Sequence, residues 1–152
     1  MAKLSFKKRA NIVENLSVQV GDKPADPALN GATVDIRPDR RSVTERAWSR
    51  AQKKDSQQVN TLAFVNKRVE EAIVGWRIEV AHLAALGVDP DAYDVQGADD
   101  DETQLVEFTP ETLRWLLDNS KRFDDLASDA VRRAYGEETT ADDAGEGERK
   151  NG

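Results

Sequence analysis

The chain has 152 residues, no cysteine, and 22 Lys and Arg against 29 Asp and Glu for a net charge of −7. It can fill one compact domain, and it has no means to build a disulfide framework, a cysteine zinc site or a thiol nucleophile. There is no run of about 18 apolar residues, and the opening MAKLSFKKRANIVENL lacks an apolar core before its next charge, so neither a membrane span nor a signal peptide is expected.

The average charge hides a polarity. Residues 1–68 hold 14 basic and 7 acidic side chains, a net of +7, whereas residues 69–152 hold 8 and 22, a net of −14. Such a distribution fits nucleic-acid contact at the basic end, assembly of copies through opposite charges, or two solvated faces.

In chain order, residues 1–31 read as an irregular N-terminal segment. VGDKPADPALNG interrupts any regular element, with KKRANIVENL as a turn or two of helix and LSVQV as a short strand. In GATVDIRPD, Ala32, Val34 and Ile36 alternate with Thr33, Asp35 and Arg37, the pattern of a half-buried strand that Pro38 ends. Ser42 with Glu45 three residues on reads as a capping box opening a helix. Apolar positions at Ala47, Trp48, Ala51, Val59, Leu62, Phe64, Val65, Val69, Ile73 and Trp76 then recur at three- and four-residue steps, with a break expected near Asp55.

This spacing continues through Ile78, Val80, Ala81, Leu83, Ala84 and Leu86, predicting a helix that bends at Gly75 and stops at Gly87. An acidic loop, DPDAYDVQGADDDETQ, follows. Thr109 as N-cap, Pro110 at the first helical position and Glu111 in the first turn predict a helix with Leu113, Leu116 and Leu117 inward and Trp115 alongside. Ser120 caps a last helix whose stripe is Phe123, Leu126, Ala127, Ala130, Val131 and Ala134, closed by Gly136. Residues 137–152 have no apolar side chain larger than alanine and read as a disordered acidic tail. The expected architecture is therefore mostly α (α+β). A helical domain over residues 32–136 carries a short N-terminal β-strand or hairpin element.

No catalytic constellation is expected, and the protein reads as not an enzyme. The single histidine, His82, lies between Ala81 and Leu83 in an apolar stretch, and no phosphate-binding glycine loop is present. Asp89, Asp91 and Asp94 and the run Asp99 to Glu102 lack the offsets of a calcium loop, so neither a metal nor a cofactor is expected.

The basic cluster of Lys7, Lys8, Arg9, Arg37, Arg40, Arg41, Arg46, Arg50, Lys53 and Lys54 has only Phe6 and Trp48 as neighbouring aromatics, a poor footprint for nucleic acid. What remains is an interaction protein. Trp48, Trp76 and Trp115 are core residues by spacing and protein-binding candidates by chemistry. Ile73, Trp76, Leu113 and Leu116 are expected to pack together. Gly75 would allow close approach there, and Phe108 would fix the entry of the helix that Thr109 and Pro110 begin.

The ordered set ATVDIRPD, AIVGWRIE, VEFTPETLRWLLD and AVRRAYGE resembles the phage tail assembly chaperones of long-tailed phages over residues 32–136. That resemblance implies a non-catalytic protein of the host cytoplasm. It would bind the tape measure protein and assist assembly of the tail tube, with the tail tube protein and further copies of itself as candidate partners. It also implies the short form, without a frameshift extension. The alternatives carried with it are a structural tail or head-tail virion component and a basic-faced nucleic-acid-binding regulator. On the chaperone reading, the +7 and −14 halves would help copies stack along the client.

Overall fold

A computed structural model describes residues 10–52, 61–89 and 105–137. The fold is mostly α with a small antiparallel sheet, the class expected: among the described residues there are five α-helices and three strands. The strands are β1 (Ile12–Asn15), β2 (Thr33–Ile36) and β3 (Ile73–Arg77), in the order β1-β2-β3. The helices are α1 (Arg40–Ala51), α2 (Thr61–Ala72), α3 (Val80–Ala85), α4 (Pro110–Asn119) and α5 (Lys121–Ala134).

The N-terminal segment is more regular than expected. Ile12 to Asn15 form a strand where a turn of helix was anticipated, while LSVQV is not a strand and only Val20 bridges to Lys23. The edge of β2 supplies the reason, because Ile12 pairs with Ile36 and Asn15 with Thr33, and these ladder bonds outweigh weak local helix preference. Leu16 and Leu29 are fully buried, the latter at the end of a 3-10 turn capped by the Asp26 side chain. In β2, Val34 and Ile36 are buried and Thr33 and Asp35 half-buried, as the alternation requires.

The cap of α1 is Asp39, not Ser42. The Asp39 carboxylate accepts from the Ser42 N–H at 3.3 Å, directly after Pro38, and Glu45 instead pairs with Arg41 one turn back at 3.2 Å. The larger difference comes at the Gly-Trp segment, where the expected continuous helix through Leu86 breaks into α2, β3 and α3. Ile73 and Val74 are β-branched and Gly75 is a poor helix former, so the local preference to remain helical is weak there. The free edge of β2 then captures the chain: the Arg37 N–H donates to the Ala72 carbonyl at 2.8 Å, and the ladder continues through Asp35 with Gly75 and Thr33 with Arg77. Gly75 is thus a strand residue and not a helix bend.

His82 belongs to the α3 cap. The Glu79 N–H donates to its Nδ1 at 3.0 Å, so the proton sits on Nε2, which donates to the Asn30 carbonyl at 3.0 Å. Gly87, with φ of 80°, ends α3 as expected, and the Val88 N–H closes back on the Leu83 carbonyl at 2.9 Å. Of the acidic loop, residues 90–104 lie outside the described residues, and with them Asp91, Asp94 and the run Asp99 to Glu102.

The chain returns at Leu105 and Val106, whose N–H donates to the Ile78 carbonyl at 2.7 Å. The start of α4 is as expected, with the Thr109 hydroxyl accepting from the Thr112 N–H at 3.0 Å and Pro110 in the first turn. The cap of α5 is Ser120, which is buried: its Oγ accepts from the Phe123 N–H at 3.0 Å and donates to the Leu86 carbonyl.

The predicted stripe of α5 is the centre of the core. Phe123, Leu126, Ala127, Ala130 and Val131 are buried against the inner face of the sheet, where Phe123 meets Trp76 edge to face at 5.9 Å. Arg133 ties the far end of α5 to β1, pairing with Glu14 at 3.2 Å and donating to the Asn15 carbonyl at 2.9 Å. Of the expected tail, residues 137–152, Glu137 is described and is held by Arg40 and Arg68, and residues 138–152 lie outside the described residues. Among the described residues no helix is long and apolar enough to cross a membrane.

Candidate interaction surfaces

The three tryptophans have different places. Trp76 is half-buried on β3, where its indole N–H donates to the Val106 carbonyl at 2.8 Å and its ring meets Phe108 edge to face at 4.9 Å. Trp115 is half-buried against the core on α4. Trp48 faces outward on α1 and is 52% exposed.

Trp48 does not stand alone. It meets Phe64 of α2 edge to face at 5.4 Å, and Leu62 and Val65 on the same helix are 71% and 38% exposed. Where α1 and α2 pack along each other, Trp48 and Phe64 therefore form an aromatic pair at the seam, while Leu62, two residues before Phe64, points from the far side of α2. Large apolar side chains held outward together are the usual mark of a contact surface.

A second surface lies where α1, α2, β3 and the start of α4 converge. It is an open cavity of about 310 Å³ with an apolar floor that includes Ile73, Phe108 and Leu113. Its rim is charged. Arg114 donates to Glu70 at 2.9 Å, Lys67 and Arg50 approach the other Glu70 oxygen at 3.3 and 3.5 Å, and Arg50 also donates to Glu71 at 2.7 Å. Arg37 donates to the Glu71 carbonyl at 3.1 Å. Burial pushes the Glu70 carboxyl up, but the hydrogen bonds from Arg114 and Lys67 outweigh it and hold the group below its ordinary value.

Ile73, Trp76, Phe108, Leu113 and Leu116 do belong to one apolar cluster, as expected. Gly75, however, does not let α4 approach. A Cβ there would meet Asp35 Oδ2 across the ladder at 2.8 Å. Glu70 and Arg114 were not singled out from the sequence. They lie 44 positions apart on separate elements, and no local pattern announces such a pair.

The two charge halves of the sequence partly satisfy each other within the molecule. Glu137 is held by Arg40 at 2.8 Å and by Arg68, whose guanidinium also sits 5.3 Å from the Tyr135 ring centre. Burial raises the Glu137 carboxyl, and the hydrogen bonds from Arg68 and Arg40 bring it below its ordinary value. Among the described residues no group of three or more histidines and carboxylates is placed to hold a metal ion. No protein-family model matches the sequence, and no curated protein or solved structure is significantly similar to it.

Proposed function

We propose that this chain is a non-catalytic assembly chaperone of long-tailed phage. It acts in the host cytoplasm and binds the tape measure protein while the tail tube forms. The observation that carries this reading is the exposed Trp48, backed by Phe64 across the seam of α1 and α2, which suits the apolar stripe of a helical client laid along two helices. The resemblance noted in the sequence supplies the client, and its segments fall on β2, β3, the capped start of α4 and the end of α5.

The histidine, the residue most often needed for acid-base work, is already held at both ring nitrogens by the fold. A nucleic-acid role has less support, because Arg40, Arg41 and Arg50 are paired with Glu137, with Glu45 and with Glu70 and Glu71. Paired cations offer little to phosphate.

The test is co-expression with the tape measure protein, followed by size-exclusion chromatography with light scattering. The chaperone reading requires the client to become soluble and to co-elute. It also requires Trp48→Ala to weaken that complex without lowering thermal stability by more than about 1 kcal/mol. A client that stays insoluble while this chain elutes alone refutes it. Recovery of the chain from finished virions at fixed stoichiometry would point instead to a structural tail component.

A further inference from the structure

The helices α1 and α2 are an insertion between two paired strands. Ile36, the last residue of β2, pairs with Ile73, the first of β3, and the Arg37 N–H donates to the Ala72 carbonyl at 2.8 Å. Residues 37–72 therefore leave the sheet and return to it at one point. The helices between form a hairpin in which α1 packs chiefly on α2.

The base of this hairpin belongs to the core and its outer half does not. Val43, Val69 and Ala72 lie in the main apolar cluster. Ala47 and Ala51, about one and two turns farther along α1, are buried outside that cluster, and Trp48 meets Phe64 within the hairpin itself.

Charged groups close the base on its neighbours. On one side Glu137, just past the end of α5, receives Arg40 of α1 at 2.8 Å and both terminal nitrogens of Arg68 of α2. On the other, Arg114 of α4 donates to Glu70 of α2 at 2.9 Å. Glu137 is itself fixed, since its N–H closes on the Arg132 carbonyl at 2.8 Å beyond Gly136, whose φ is 68°. Arg68 Nε and the Tyr135 hydroxyl are buried at this junction and have no hydrogen-bond partner among the described residues. Opening the junction returns both to water, which offsets part of the cost of separating the ion pairs.

We infer that the α1–α2 hairpin is an arm that opens as one unit while the sheet and α5 stay folded, with Glu137 as its latch. Cut off from the core, two helices of 12 residues each are marginal in water, so opening is loss of helix and not a rigid swing. It bares Val43 and Val69 and dissolves the pairing of Trp48 with Phe64. A partner that takes Trp48 as the closed arm presents it therefore holds the arm shut, and one that takes the bared stripe holds it open. The arm is a property of the fold and does not depend on the function proposed above.

Amide hydrogen exchange of the whole chain, followed by NMR in rising but sub-denaturing urea, tests this. Ala47, Trp48 and Lys67 should exchange as one group, at least about a hundredfold faster than Val34, Ala127 and Ala130. Their exchange should also depend less steeply on urea, because opening the arm exposes less surface than unfolding the domain. Glu137→Gln should speed the arm group by about tenfold, since charge-assisted hydrogen bonds to two arginines are weakened. Arm amides that share the rate and urea slope of the sheet and α5 overturn the proposal, and so does an arm group that ignores Glu137→Gln.

Discussion

Ser120 joins two helix ends through one hydroxyl, and its replacement has a calculable cost. Its Oγ caps α5 by accepting from the Phe123 N–H and satisfies the Leu86 carbonyl at the end of α3, all in a buried setting. Ser120→Ala removes an N-cap, worth about 1 kcal/mol, and strips the donor from a buried carbonyl, worth about 1–3 kcal/mol more. The sum, about 2–4 kcal/mol, should lower the midpoint of thermal unfolding by on the order of 10 °C for a domain of this size.

Ser120→Asp separates the two contributions. Aspartate is as good an N-cap as serine at an exposed helix start. Here its carboxylate accepts but cannot donate, and it would face the Leu86 carbonyl, so the variant should be at least as unstable as Ser120→Ala. Calorimetry or urea unfolding followed by circular dichroism reads both. A Ser120→Asp protein as stable as the parent would refute the bridging role and leave Ser120 an ordinary cap.

Acid should expose the ion-pair networks. Glu70 and Glu137 titrate below their ordinary value of 4.5 in the folded protein, so the stability they contribute is present above that value and is lost as pH falls through the lower, folded pKa. Urea midpoints should therefore drop below about pH 4.5, and Glu70→Gln with Glu137→Gln should flatten that slope. Gly75→Ala should change stability by no more than about 1 kcal/mol, because the added methyl meets only the end of the Asp35 side chain and relieves the entropic weakness of glycine in a strand. In an Asp35→Ala background the same substitution should stabilise, and a chain that fails to fold in that background would show a tighter fit at β3. Tyr135, whose hydroxyl burial pushes it up to about 12, should stay protonated after an ordinary tyrosine has ionised near 10, as read by ultraviolet titration.

The contrast between what the sequence disclosed and what it hid is physical. Thr109 with Pro110, Ser120 and Gly87 were legible because caps act within a turn and their chemistry is local. The stripe of α5 was legible because it repeats at helical spacing over four turns. β3 was not, because Ile73, Val74 and Trp76 also fit a helical spacing, and only the edge of β2, nearly forty positions earlier, decides between the two. Of the surfaces, Trp48 could be nominated by residue type, but its exposure depends on how α1 and α2 pack. The Glu70 and Arg114 pair had no local trace at all.

The bond between Arg133 and Glu14 spans 119 positions, and the helix that carries Arg133 also covers the apolar face of the sheet. A nascent chain that has emerged only as far as α3 holds all three strands, yet Val34, Ile36 and Trp76 still lack the surface they pack on. Closing so long a loop is slow compared with forming helices, and the partly made protein exposes that face to the crowded interior of the cell meanwhile. Synthesis therefore imposes an order: this protein completes its own core only when its last helix arrives, and refolding should be limited by the docking of that helix.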